Sequence, residues 1–434
     1  MKKFVLIMVG LFLITTANAQ DKAALKAQKA AKKAAEKSLK EAKSTYEMSI
    51  PNPQYGRKDT NYEKLETSLP LIKAAMESEY TKDNPQTWKL AADIEYQYYT
   101  KIENESKADP DNNELKKKYI ETSAKLLSYC IKYDSLLVLD TKMKPEDKDK
   151  EHKIYQPKGV NSAIQLLQAA QNYSNSENQE ELKQGAKYAE IFINAMENSN
   201  LMKDFKHAEL EGWKTYSKAF RAQSYLNIEG TPEETIVNAY KALFNTNFKG
   251  IAYQSLMNYY REKDKAKQNL YLQEGIDALK GDAEQKDLRA NFVTILMQNQ
   301  FQAGDKEGFM KTAEIMKTEF ADDENAVNAY LMEGQFAFEA KDYETAKKAF
   351  LAGSEKYPDD EKCLLMAARS AWMKAQTTGS KKEDMNEAIT LFKKLEAANP
   401  ESPELWGESL YVLYNNTQQP KLAANYKKYY KSNK

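Results

Sequence analysis

The chain has 434 residues, more than one hydrophobic core supports, so it requires several domains or an elongated array that buries its surface unit by unit. Gly (15) and Pro (12) are scarce, and no long runs of alternating Val, Ile and Thr mark out sheets, so the composition is that of a helix-rich chain. Lys plus Arg and Asp plus Glu each number 64, which leaves no net field to draw the protein to nucleic acid and makes any electrostatic recognition local.

The N-terminus, "MKKFVLIMVGLFLITTANAQ", has a basic pair, an apolar run from Phe4 to Ile14 and small residues ending Ala17-Asn18-Ala19. This pattern predicts a signal peptide over 1–19, cleaved after Ala19, because the apolar run is too short to span a bilayer comfortably. No Cys lies near the cleavage point, so a lipid anchor is not expected. The site followed by Gln20 resembles signal peptides of Gram-negative bacteria, particularly the Bacteroidota. That resemblance implies an exported protein, periplasmic, associated with the outer membrane or secreted.

Residues 20–59 read as a basic Ala/Lys-rich helical arm and a Pro-containing linker. From Asp21 to Lys43 eight Lys face three acidic residues, and Leu25 and Leu39 are the only large apolar side chains. The arm is expected to be solvated, with peripheral contact of residues 21–43 with an anionic envelope surface as the functional alternative. From about Thr60 the pattern predicts helices of 12 to 20 residues in pairs, with Pro85, Pro110, Pro232, Pro358, Pro400, Pro403 and Pro420 at helix edges and Pro70 kinking one helix. Residues 60–140 form an N-terminal set of pairs. The charged, apolar-poor stretch 141–159 is the expected linker to a C-terminal array over 160–434, with a longer loop within one array as the alternative.

Little in the sequence points to chemistry. His152 and His207 are the only histidines, and no zinc-protease, phosphate-loop or C-x-x-C motif occurs, so neither catalytic residues nor a cofactor nor a metal site is expected. Asp109, Asp111 and Asn113 match the start of a calcium loop. Glu114 and Ile120 then occupy the positions that need Gly and a bidentate Glu, so a turn capping the next helix through Asp111 or Asn112 explains the string better. Cys130 and Cys363 lie in apolar helical surroundings, and two buried unpaired thiols are expected rather than a disulfide.

A period emerges toward the C-terminus. A shift of 37 superposes Asp305 on Asp342, Phe320 on Tyr357 and Asp322-Asp323 on Asp359-Asp360. The acidic stretch from Glu339 to Lys362 is one copy of this repeat, and its carboxylates are expected to cap helices. The copy resembles the tetratricopeptide repeat family through Tyr330, Gly334 and Ala337 on a first helix and Ala346, Phe350, Gly353 and Pro358 on a second; Glu333 stands where that family prefers Leu. A following copy has Ala388, Phe392, Leu395 and Pro400. The likeness is specific over about 287–400 and fades elsewhere, and residues 420–431 read as a Lys-rich capping helix.

The resemblance implies an all-α, right-handed α-solenoid of stacked antiparallel helix pairs whose concave side is lined by first helices. Carried over residue by residue, groove-facing positions are Lys214, Lys218 and Arg221, then Gln254, Asn258 and Arg261, then Gln298 and Phe301. Gln335 and Phe338 follow, then Arg369 and Trp372, and finally Tyr411 and Tyr414. Such a groove, basic centrally and aromatic toward the C-terminus, implies a protein or extended peptide partner carrying acidic groups. Two further readings are a glycan-binding helical module, suggested by 28 Tyr and 4 Trp, and an enzyme fused to repeats, for which no catalytic residues can be named.

Overall fold

In the computed structural model the described residues are 2–379 and 381–430, with side chains from residue 24 onward. The signal peptide therefore lies outside the described side chains, as does the last residue of the expected capping helix outside the described residues. Among the described residues the only β-type pairing is an isolated bridge between Asn52 and Arg57; everything else is helix or turn. The chain divides into two compact units, 1–246 and 247–434.

The first unit contains α1 (Lys2–Ser49), α2 (Tyr62–Glu66), α3 (Leu69–Glu77), α4 (Pro85–Ala108), α5 (Asn113–Leu139), α6 (Pro145–Tyr173), α7 (Gln179–Asn198), α8 (Leu210–Asn227) and α9 (Glu233–Lys241). From α4 to α9 each helix packs on its sequence neighbour. Asn112 caps α5, accepting from the Leu115 N–H at 3.1 Å, so the calcium-like string is a helix joint.

Three expectations for this unit are corrected. The stretch 141–159 is no linker: α6 starts at Pro145 and continues through Pro157. Its charged residues surround the first turns, and Glu151 and Lys158 pair with Lys89 and Asp93 of α4 beside the buried Tyr155, Gly159 and Val160, so a charged, apolar-poor sequence still packs into the unit. It brings α6 to 29 residues, and α4 and α5, at 24 and 27, are likewise longer than the expected 12 to 20. Pro70 does not kink a helix but opens α3 after a break at Ser68, where its missing N–H costs nothing. The arm is only partly solvated: Ala42 is fully buried, and Leu39 and Tyr46 pack on a cluster of Leu65, Ile72, Leu90 and Ile94.

The second unit contains five helix pairs: α10 (Lys249–Tyr260) with α11 (Lys265–Ala278), α12 (Lys286–Gln302) with α13 (Lys306–Glu319), α14 (Ala326–Glu339) with α15 (Tyr343–Lys356), α16 (Glu361–Thr377) with α17 (Lys382–Ala398), and α18 (Gly407–Asn416) with α19 (Pro420–Tyr426). The 37-residue period is visible atom by atom. Asp305 caps α13 by accepting from the Gly308 N–H, and Asp342 caps α15 by accepting from the Thr345 N–H. In the preceding turns the Asp305 N–H donates to the Gln300 carbonyl and the Asp342 N–H to the Ala337 carbonyl, each at 2.9 Å. Asp360 caps α16, whereas Asp323 accepts from the Asn325 N–H just ahead of α14.

Close approach within a pair depends on absent side chains. A Cβ on Gly334 would stand 2.4 Å from the Phe350 ring, and one on Gly353 would stand 2.7 Å from the Cys363 sulfur and 2.8 Å from the Tyr330 Cβ. Glu333, which departs from the family pattern, is accommodated by an ion pair with Lys317, whose ammonium lies 4.4 Å from the Tyr330 ring centroid. Charge also ties α15, α16 and α17 together. The buried Lys347 ammonium meets Glu344 at 2.9 Å and Glu387 at 2.5 Å, and Lys374 meets Glu344 at 2.8 Å and Asp384 at 3.5 Å. Hydrogen bonds from Lys374 and Lys347 hold the Glu344 carboxyl down at about 2. The carboxylates of the 339–362 stretch thus cap and tie helices.

The α19 helix and the turn Lys427–Tyr429 close the unit, with Ala423 and Tyr426 facing inward and lysines outward. Cys130 and Cys363 are buried and unpaired, one in each unit.

Two substitutions test the joints. Gly334→Ala forces the new methyl against Phe350 and should lower stability by about 1–3 kcal/mol in urea unfolding. Lys341 sits at φ +60, in the left-handed region that Gly304 occupies one period earlier at φ +70. Lys341→Gly should therefore raise stability, by about 0.5 kcal/mol, since relief of the backbone cost outweighs the added freedom of the unfolded chain.

Candidate functional site

The residues expected to face a groove fall into both units, and each set is described within its own unit. On α8, Lys214 and Lys218 share a face with Arg221, as the spacing requires. Lys214 pairs with Glu211 at 2.8 Å and Lys218 with Glu197 of α7 at 2.7 Å, so both are neutralised locally. Arg221 is half-buried with its Nε enclosed and lacking a hydrogen-bond partner. Unlike the two lysines, it has no carboxylate partner among the described residues.

In the second unit Asn258 and Arg261 are exposed and bonded to each other at 2.6 Å, and Gln335 donates to Glu339 at 2.8 Å. Gln254 and Gln298 are half-buried. Arg369 is exposed on α16, and Trp372, one turn on, is half-buried with its ring edge-on to Phe392 at 6.1 Å. The aromatic positions are largely spent in packing. Phe301 lies within 4.8 Å of Phe336 and 6.1 Å of Phe309, Phe338 within 5.2 Å of Tyr343, and Tyr411 within 4.7 Å of Tyr430. Tyr414 is corrected from a groove position to a core residue: it is 7% exposed and stacks on Tyr426, because the last helix needs a ring to seat against.

The first unit holds a polar constellation that sequence spacing does not reveal. His152 on α6 lies between two carboxylates: its Nδ1 is 2.7 Å from Asp134 on α5, and its Nε2 is 3.1 Å from Asp204 in the segment joining α7 to α8. Gln156, one turn along α6, donates to the Leu201 carbonyl at 2.9 Å and to Asp204 at 2.7 Å. Asp134 is 2% exposed, and its second oxygen is enclosed with no hydrogen-bond partner. A neutral imidazole carries one N–H and can donate to one carboxylate, whereas the imidazolium donates to both. Burial alone would lower the His152 pKa, but Asp134 and then Asp204 outweigh it, and the net shift is upward. Asp204 is correspondingly lowered: its slight burial opposes the shift, and the Gln156 and His152 bonds prevail.

Around this bridge lie two cavities of about 660 and 520 Å³, both lined by Asn200, Lys203 and Lys206. Beside them, α4 carries Lys89 and Asp93, which bond to Glu151 and Lys158 of α6, while Tyr133 and Tyr155 donate to Glu151 and Asp93. A further cavity of about 520 Å³ between α1 and α4 mixes Lys40, Lys43 and Lys89 with Glu36, Glu47 and Asp93, so its charges balance. Among the described residues, no cluster of His, Cys, Asp or Glu has the geometry to hold a metal ion.

No family model matches this chain, and no curated protein matches it. Solved structures similar to it are yeast Tom70, at 11% identity and TM-score 0.29, covering 89% of this chain and 91% of that one, and the P58(IPK) TPR domain, at 15% identity and TM-score 0.24, covering 89% and 99%. A circular tandem repeat protein with novel repeat topology is similar at 12% identity and TM-score 0.23, covering 92% and 95%. With TM-scores this low, the fold rests on the helix packing described above.

Two groups in the first unit give a signed pH dependence. Glu95 on α4 is buried, which pushes its carboxyl from 4.5 up to about 7 against the pull of Lys125. A raised carboxyl and a raised imidazole both favour the protonated fold. Their stabilisation is complete below the unfolded values of 4.5 and 6.5 and is lost as pH rises through the folded values. The urea midpoint of the first unit, followed by tyrosine and tryptophan fluorescence, should fall between pH 5 and 8, with a shallower fall in Glu95→Gln and in His152→Asn. A midpoint that is flat over that range in the wild type contradicts the assignment.

Proposed function

We propose that this chain is an exported, non-enzymatic helical-repeat scaffold that binds protein or peptide partners in the bacterial cell envelope. The observation that carries the reading is the serial construction of the second unit, where the same capped joint recurs at Asp305 and Asp342 and presents equivalent first-helix faces one after another. Repeats built this way cannot each bury both faces, and the face left open by α10, α12, α14 and α16 is where an extended partner finds repeated contacts. The N-terminal pattern of basic pair, apolar run and Ala17-Asn18-Ala19 supports export. The resemblance of residues 287–400 to tetratricopeptide repeats supports a peptide or protein over other partners.

A glycan partner is less favoured. The aromatic residues that would stack on sugar rings are used as internal spacers: Tyr414 against Tyr426, Tyr260 against Tyr271, and Trp372 against Phe392. An acidic partner fits the groove candidates without a carboxylate partner, among them Arg221 on α8 and Arg369 on α16. Contact of the lysine-rich start of α1 with an anionic envelope surface fits the exposure of residues 24–34.

The test is affinity capture from an envelope fraction with the purified chain, beside Arg221→Glu and Arg369→Glu variants of confirmed helicity. Proteins retained by the wild type and lost from one or both variants are the expected result, with direct binding then measured on the purified partner. Identical capture by all three chains refutes recognition through these helix faces.

A further inference from the structure

We infer that the first unit carries a second peptide site, at the paired cavities flanking the segment 199–209, and that it takes an acidic residue flanked on each side by an apolar one. The inference rests on the reading of the chain as a peptide-binding scaffold and adds a place and a specificity that the repeat faces do not supply. The carboxylates lining the two cavities have partners inside the fold: Asp134 and Asp204 share His152, Asp149 meets Lys153 at 2.6 Å and Glu197 meets Lys218 at 2.7 Å, while the second oxygen of Asp134 is enclosed without a hydrogen bond. Of the lysines, Lys214 is paired with Glu211 at 2.8 Å, and the others have no carboxylate partner among the described residues. Lys148 donates only to the Val138 carbonyl, at 2.9 Å, and Lys203 and Lys206 are exposed with no ion-pair or hydrogen-bond partner for their side chains among the described residues. Unpaired positive charge therefore sits on Lys203 and Lys206, which together with Asn200 line both cavities.

The shape supplies the rest. One cavity has the apolar wall Leu137 and Val138, the latter 55% exposed, and the other has Met202, Phe205 and Leu210. Two hollows, each with an apolar patch in an otherwise polar lining and joined at a rim with two free ammonium groups, match an extended segment with alternating apolar, acidic and apolar side chains, the acid meeting Lys203 and Lys206. The rim is held in place from below. Leu201 and Met202 are buried in the core, and Asp204 is tied to His152 and Gln156, so Lys203 and Lys206 are presented on an anchored segment.

The probe is a fluorescein-labelled, end-blocked peptide of Gly, Leu, Glu, Phe and Gly, measured by anisotropy against the full chain. A second peptide has Gln in place of Glu. Expected are saturable binding to the wild type that weakens with salt, binding about ten-fold weaker for the Gln peptide, and a similar or larger loss in Lys203→Glu/Lys206→Glu. Both lysines are exposed, so this variant should fold, and far-UV circular dichroism checks that it does. Lys187→Glu, an exposed lysine on α7 outside the cavities, serves as the control and should bind as the wild type does.

Absence of binding, equal binding of the two peptides, or equal loss in the control and double variants each overturns the proposal. If binding survives Lys203→Glu/Lys206→Glu but is lost in Arg221→Glu or Arg369→Glu, this site is wrong while the scaffold reading stands. If envelope capture is indifferent to those arginines while the peptide still needs the two lysines, the repeat faces fail and the cavity site stands.

Discussion

A glycine on one helix leaves room for an aromatic ring of its neighbour to lie directly against the backbone, where any Cβ would clash, and the second unit depends on that contact. Gly334 receives Phe350, Gly275 receives Phe292, and Gly353 receives both Tyr330 and the Cys363 sulfur. Each ring then fills the space that a closer crossing would leave empty, so interior packing density is reached with few large side chains. Once the crossing is set, each hairpin has one stripe covered by its own partner and one left for the next hairpin. The unit grows by addition for this reason, and its last pair ends on rings, Trp406 against Tyr426 and Tyr429, with lysines facing out.

Charges follow from the same geometry. Close helices bring long side chains from three elements to one point, as where Lys347 and Lys374 meet Glu344, Asp384 and Glu387, or where Arg289 spans the Ile276 carbonyl and Glu319. A cation enclosed in this way is costly to leave single and is paired within the fold. Part of the chain's charge is thus consumed by helix joints and exposed i,i+4 pairs. Cations without a carboxylate partner among the described residues include Lys203 and Lys206 of the segment 199–209 and the arginines of α8 and α16.

The helical class, the pairing and the 37-residue period were legible because each rests on local spacing: a cap, a turn and a small residue at fixed offsets. Asp305 and Asp342 could be aligned before any coordinates were known, and both cap helices. The reading of 141–159 as a linker failed because some of its charges are paired across helices, Glu151 with Lys89 and Lys158 with Asp93, beside a buried stripe that starts at Tyr155 and runs on to Ala170. The binding positions were harder to read. Lys214 and Lys218 have the right periodicity, yet Lys218 is answered by Glu197, a residue whose proximity only the turn between α7 and α8 creates. The His152 bridge is more remote still, since its members lie on α5, on α6 and beyond α7, and no offset in the sequence relates them.

Cys130 and Cys363 are each fully buried, and burial pushes both thiols up to about 12. Neither is a nucleophile while its helices stay closed, because almost none of it is thiolate at neutral pH. With one such thiol per unit, the reactivity of each toward an alkylating reagent measures how often its own neighbourhood opens. Cys363 is the more informative of the two. It lies against Gly353 at the joint between α15 and α16, so its exposure counts the separations of one hairpin from the next, the event by which a stacked array begins to come apart.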